Sequence, residues 1–231
     1  MIDVIVPVLG RPENAMPLVQ SLHDSGADGY ALITFVCTGG DKAEIRACRD
    51  TGANVLTVGW PAGPGDFARK INYGFQQTDG DYIFMGADDI EFTPKWDTIA
   101  LNMMRGRIGV VATNDKANRQ VMRGEFGTHC LISREYIDTQ GGTYSQEPGV
   151  VLYEGYDHNF VDRELCDVAK SRRAFAFASR SIVRHRHPLW RTASWDPTYR
   201  KALKEFTADQ RLFAERSRAW KRNRNRDIVA P

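Results

Sequence analysis

Two short clusters in this sequence bring together residue types that can do chemistry. Ala87-Asp88-Asp89 follows a β-rich run, DYIFMG. Adjacent carboxylates at the carboxyl end of a strand can hold a hard divalent cation that bridges the phosphates of a bound nucleotide, or can serve as a solvated turn or helix cap. Arg184-His185-Arg186-His187-Pro188 is the second cluster. On a strand, His185 and His187 face one side while Arg184 and Arg186 face the other, which gives a metal-ligand pair and two groups available for phosphate. A carboxylate-rich stretch, Tyr153-Glu154-Gly155-Tyr156-Asp157-His158 with Asp162-Arg163-Glu164, opens a helical pattern. The helix dipole alone favours acids in a first turn; the chemical alternative is a general base beside an acceptor hydroxyl. His158 and Asp162, at i and i+4, would share a helix face.

The elements that must position these groups alternate between strand and helix. Residues 3–8, 32–37, 54–58 and 81–85 read as strands, and 109–113, 128–133 and 181–187 as further strand-like runs. Asp41 with Glu44 resembles a capping box for a helix that stops at Gly52. Asp66 is placed to cap a helix with Phe67, Ile71, Gly74 and Phe75 on one face, and Thr93-Pro94 to open another before Trp96. Residues 157–171 fit a helix, and Asp196-Pro197 opens a long amphipathic one through Tyr199, Leu203, Phe206 and Phe213. Residues 139–153, with three glycines and a proline, read as a mobile loop. This alternation implies an α/β fold with a mostly parallel central sheet flanked by helices, in which ligands bind beyond the carboxyl ends of the strands. The glycine–proline loop 59–65 precedes Asp66, Arg69 and Lys70, a helix start able to meet a diphosphate, but it has no P-loop or dinucleotide spacing.

The chain has 231 residues, 42% hydrophobic and 26% charged, an ordinary globular composition. No apolar run reaches the ~18–20 residues that span a bilayer, so no membrane insertion is expected. The N-terminus reads as a strand, not a leader, and Cys37, Cys48, Cys130 and Cys166 contain no C-x-x-C pair, so a reducing, cytoplasmic setting is expected. Residues 200–231 hold ten Lys/Arg against four Asp/Glu, a net of +6 in a chain of net +2, leaving −4 for residues 1–199. That basic end, with Trp220 inside RSRAWKRNRNR, is either a solvated helix terminus or a contact for a polyanion such as nucleic acid.

Taken in order, these pieces resemble the GT-A glycosyltransferases, particularly short members of glycosyltransferase family 2. DVIVPVLGRPENAMPLVQSL is similar to that family's first strand, nucleotide loop and helix, and VCTGGD to its acidic nucleotide-binding turn. GDFARKINYGFQQTDGDYIFMGADDIEF runs like the family's basic helix into its Asp-x-Asp motif; HNFVDRELCDVA resembles the segment with the catalytic carboxylate, and VRHRHP the late metal-binding histidine. The first Asp-x-Asp position is Gly86 here, and the usual Glu-Asp pair is Val161-Asp162. The resemblance covers roughly residues 1–190 and implies a GT-A (Rossmann-like) domain over 1–195, with 196–231 a helical extension and basic tail. It implies Asp162 as general base, Pro7, Arg11, Asp41, Asp66, Lys70 and Asp88 on the nucleotide, and Asp88, Asp89, His185 and His187 around Mn²⁺ or Mg²⁺. The implied reaction is inverting transfer from a nucleotide-sugar donor, such as a UDP-sugar, to a hydroxyl. H-x-H-P followed by Asp196 and Tyr199 also resembles transferases of bacterial viruses, whose acceptors include modified DNA bases and virion proteins and which would place the protein in host cytoplasm. The basic C-terminal end with Trp220 favours a hydroxylated DNA base as acceptor over a protein or glycan. A nucleotidyltransferase would need a glycine-rich loop after strand one that VLGRPENA lacks, and a purely nucleic-acid-binding module would leave the acidic and histidine clusters unexplained.

Overall fold

A computed structural model describes residues 1–229, with side chains to Arg222. Eight strands form one mixed sheet: β1 (Ile2–Pro7), β2 (Ala31–Thr38), β3 (Asn54–Val58), β4 (Tyr82–Met85), β5 (Ile90–Phe92), β6 (Val110–Asn114), β7 (Cys130–Ser133) and β8 (Phe175–His185). Their order is β3-β2-β1-β4-β7-β6-β8-β5. The β3-β2-β1-β4 half and the β6–β8 pair are parallel, while β7 runs antiparallel to both β4 and β6, and β5 to β8. The helices are α1 (Ala15–Ser25), α2 (Lys42–Asp50), α3 (Asp66–Gln77), α4 (Trp96–Met103), α5 (Arg119–Met122), α6 (Arg134–Gln140), α7 (Val161–Ser171) and α8 (Pro197–Val229).

Strand periodicity divides the core into two layers. In β1, Val4 and Val6 join Leu18, Phe84 and Trp96 on one face, while Ile5 joins Ile71, Ile83 and Met85 on the other. Burial of both faces accounts for the continuous apolar run IVPV, which a one-sided sheet would not need.

Several local expectations are corrected. Asp41 does cap α2, accepting from the Glu44 amide at 3.2 Å, but the Glu44 carboxylate takes the Arg11 amide at 2.6 Å instead of closing the box. Asp66 is the first residue of α3, whose cap is Gly65 at φ 71°. A Cβ there would run into the Glu154 carbonyl, so glycine is required sterically as well as conformationally. Thr93 is not a cap either: Lys95 takes that position before α4, and the Thr93 hydroxyl donates to the Ile182 carbonyl at 2.8 Å. Residues 139–153 are packed against the body, with Val151 and Leu152 fully buried. Asn72 fixes them, accepting from both amides at 3.0 Å and donating to the Leu152 carbonyl at 2.9 Å.

The C-terminal helix is integral to this architecture. Leu203 and Phe206 are exposed, contrary to the amphipathic reading. The residues that attach α8 are instead polar and aromatic. Asp209 accepts from the amides of Asp157, His158 and Asn159 at 2.7, 3.0 and 2.7 Å. Arg216 grips buried Glu164 through two bonds of 2.9 and 2.7 Å, and Trp220 packs with Tyr144 and Val168. Trp220 is therefore a packing residue, not an exposed platform for a base. The tail arginines Arg224 and Arg226 lie outside the described side chains.

Replacing Asp209 by Ala strands three partly buried amides. Hydrogen bonds to a charged group are worth about 1.5–3 kcal/mol, so Asp209→Ala is expected to lower the unfolding free energy by about 3 kcal/mol in urea titrations. A change below about 0.5 kcal/mol, the range of neutral surface substitutions, would show that α8 does not hold this loop.

Candidate active site

The carboxyl ends of β1, β4 and β8 open into a cleft of about 420 Å³. Pro7, Arg11, Asp66, Lys70, Asp88, Asp89, Asp162, His185 and His187 all line it, so nine positions singled out from sequence meet in one cavity. Asp41 does not line it: besides capping α2, it accepts from the Gly10 amide at 2.9 Å and so shapes the loop that carries Arg11.

Arg11 is the centre of the arrangement. Its Nη1 lies 3.0 Å from Asp88 Oδ1 and 3.6 Å from Asp89 Oδ2, and its Nε 2.7 Å from Asp196 Oδ2. The guanidinium also stacks on the Tyr199 ring at 3.9 Å. The Tyr199 hydroxyl sits between Asp89 Oδ2 at 2.7 Å and the Arg186 carbonyl at 3.0 Å. Gly86, where the family's first aspartate would fall, has no room for a side chain without displacement: a Cβ would stand 3.0 Å from both the Ile5 carbonyl and Val6. The acidic pair instead stands at the third and fourth residues beyond the end of β4.

The surroundings push the two aspartates in opposite directions. Burial and the neighbouring Asp89 raise Asp88 above the ordinary carboxylate range, against the opposing pull of Arg11. Burial also disfavours ionised Asp89, but His185 and the Tyr199 hydrogen bond outweigh it and hold that carboxyl low. His185 Nε2 lies 3.5 Å from Asp89 Oδ2. Burial opposes its protonation, yet Asp89 raises its pKa overall.

His187 plays a different part from His185. Its Nδ1 accepts from the Leu189 amide at 3.2 Å and caps a 3₁₀ turn, Pro188–Trp190, which leaves the proton of the neutral ring on Nε2. Arg184 and Arg186 turn away from the cleft, both pairing with Glu91, at 3.1 and 2.5 Å. Lys70, fully buried, donates to the Val8 carbonyl and pairs with Asp66, both at 2.8 Å.

Asp162 is the second residue of α7, and its Oδ1 accepts from the Arg163 amide at 2.8 Å. Burial pushes its carboxyl up to about 6. Helix α7 begins only at Val161, after Phe160 at φ 68°, so His158 stands on the loop held by Asp209 and does not share a helix face with Asp162. Among the lining residues that sequence patterns did not single out are Phe126, Thr128 and His129, which precede β7. Period-2 reading marked 128–133 as structural, and only a buried polar residue at the strand's start could have signalled more.

Among the described residues, no three His, Cys, Asp or Glu side chains already converge to hold a metal ion by themselves. A cation carried by a diphosphate needs only one or two protein ligands, the rest coming from phosphate and water. Asp89 meets that requirement: its Oδ1 is buried with no hydrogen-bond partner, beside His185.

Comparison with solved structures fixes the fold. Glucosyl-3-phosphoglycerate synthase from Mycobacterium tuberculosis, solved with Mn²⁺, UDP-glucose and phosphoglyceric acid, superposes with a TM-score of 0.55 at 16% identity, over 81% of this chain and 72% of that one. A second complex of that enzyme, with Mn²⁺, UDP and phosphoglyceric acid, covers 95% and 78% at a TM-score of 0.58. A mannosyltransferase from Pyrobaculum calidifontis with GDP-mannose and Mn²⁺ reaches 0.62 at 12% identity, over 80% of this chain and 56% of that one. The chain has a GT-A glycosyltransferase fold. No family model and no curated protein matches its sequence. Within a GT-A fold the cleft occupies the ligand-binding edge of the parallel half-sheet, as open α/β sheets require.

Arg11 balances three carboxylates here, so its loss leaves buried charges facing one another. Arg11→Met is expected to cost about 3–5 kcal/mol of unfolding free energy, and much less in an Asp88→Asn background. Equal costs in both backgrounds would show that Arg11 and Asp88 are not energetically coupled.

Proposed function

We propose that this protein is an inverting, metal-dependent glycosyltransferase of the family 2 type, moving a sugar from a nucleotide-sugar donor to a hydroxyl. The observation that carries this reading is the single cleft, in a GT-A fold, that gathers Asp88, Asp89, His185, Arg11 and Asp162. The GT-A proteins it superposes on were solved with Mn²⁺ and UDP- or GDP-sugars, which supports a donor of that class.

A divalent cation held by Asp89 and His185 would supply Lewis-acid neutralisation of the departing diphosphate. Arg11 lines the same wall, and its buried Nη2 has no partner in the protein, so it can donate to a phosphate oxygen. Lys70, committed to Asp66 and the Val8 carbonyl, fixes the loop after β1 and shapes the nucleotide pocket. Asp162 accepts the acceptor hydroxyl's proton as that oxygen attacks the anomeric carbon and the bond to the diphosphate breaks.

For the acceptor we favour a hydroxylated base of DNA. The supporting features are the +6 charge of residues 200–231 and the exposed Trp190 and Phe206 at the cleft, which can stack a planar ring. Arg216 and Trp220 are engaged with Glu164 and Tyr144 and are not free to meet DNA through those groups. A base in duplex DNA would have to be extruded to reach Asp162. Transfer assays offering hydroxymethylated DNA, protein and glycan acceptors separate these readings, and transfer to protein or glycan alone would refute the DNA assignment.

Asp162 must be ionised to act as base. Turnover is therefore expected to fall as pH drops through about 6, and Asp162→Asn to reduce it by ~10²–10⁴-fold while donor binding, read by calorimetry with the nucleoside diphosphate, persists. An active Asp162→Asn enzyme with the same acid limb would place the base elsewhere.

A further inference from the structure

His129 immediately precedes β7 in the wall of the cleft and has no role in the reaction outlined above. The chain invests heavily in its orientation. The amide and hydroxyl of Thr113 both reach its carbonyl, at 3.1 and 2.9 Å, fixing the backbone. Its Nδ1 lies 3.0 Å from the Met85 carbonyl, an acceptor only, so Nδ1 carries the proton and Nε2 is left with a bare lone pair.

That lone pair is unused. His129 is only 3% exposed, and Nε2 is buried with no hydrogen-bond partner. The ring stands edge-on to His185, centroids 5.0 Å apart at 84°, and His185 in turn touches Asp89. Asp89 Oδ1 is likewise buried and unpartnered. Buried polar atoms are nearly always satisfied, and an imidazole whose other nitrogen donates to a backbone carbonyl has the arrangement that orients histidines towards metals.

We propose that His129 is a protein ligand of the cleft cation, completing with Asp89 and His185 a two-histidine, one-carboxylate set. The three side chains are neighbours that do not converge on one point in this structure, in which His185 pairs directly with Asp89. A cation entering between them replaces that ion pair and satisfies the bare nitrogen and the bare oxygen together. The donor set also bears on the metal: imidazole nitrogen favours a first-row transition ion over Mg²⁺, which prefers an all-oxygen shell. The proposal rests on the glycosyltransferase reading only for the phosphate oxygens that fill the remaining positions.

Mn²⁺ binding to the full chain, followed by electron paramagnetic resonance with and without UDP, tests it without turnover. Electron-spin-echo modulation should show two nitrogen ligands on the bound Mn²⁺, and one in His129→Asn. Asparagine can still donate an amide proton to Met85 but offers no nitrogen lone pair, so a purely orienting role would survive the change. The affinity for Mn²⁺ should fall at least about tenfold in His129→Asn, and its margin over Mg²⁺ should narrow. A single nitrogen ligand in the unmodified protein, or unaltered Mn²⁺ affinity in a folded His129→Asn, would overturn the role of His129 and leave the glycosyltransferase reading intact. No Mn²⁺ binding by the unmodified protein, even with UDP, would overturn both.

Discussion

Three carboxylates, Asp88, Asp89 and Asp196, converge on one guanidinium, and the arrangement of the cleft depends on that balance. Carboxylates buried this closely repel, which drives one of them, here Asp88, towards its protonated form, and a positive charge fixed among them limits that shift. Arg11 supplies that charge from the loop after β1, and the loop is braced by Asp41 at Gly10 and by Glu44 at the Arg11 amide. Asp41, the cap of α2, and Glu44 in its first turn thus serve the site indirectly. They hold the backbone from which its central cation extends.

The same constraint explains why the C-terminal helix is part of the site. Asp196 and Tyr199, from the entry and first turn of α8, close the side of the Arg11–Asp88–Asp89 cluster that the sheet leaves open. Further along α8, Asp209 fastens the loop at 157–159, and Arg216 fastens Glu164 of α7, which itself takes the Tyr144 amide and the Tyr156 hydroxyl. A helix that was expected to be an appendage proves to be a strap. Its polar anchors are spaced along one side while Leu203 and Phe206 are exposed, with Phe206 lining the cleft.

Much of this was legible in the sequence because it follows from local periodicity and strand ends. The β-runs, the position of Asp88-Asp89 after β4 and the H-x-H at the end of β8 put these candidate groups at one edge of the sheet, and their side chains line one cleft there. What local patterns could not convey were partners distant in the chain. Arg184 and Arg186 looked available for phosphate, but β5, too short to be read as a strand, brings Glu91 opposite them. The 139–153 segment looked mobile from its glycines, whereas Asn72, far upstream, satisfies its backbone. His129 was hidden because a histidine at the head of an apolar strand looks like core until the bare nitrogen is located in space.

The central claim is that the cleft binds a divalent cation together with a nucleoside diphosphate at the Asp89–His185 corner. A crystal structure of the full chain grown with Mn²⁺ and UDP, phased to give an anomalous difference map at the manganese edge, tests it most directly. The account predicts one strong peak against Asp89 and His185, with the UDP diphosphate on its open side. A manganese peak outside the cleft, or UDP bound there with no metal beside Asp89, would contradict it.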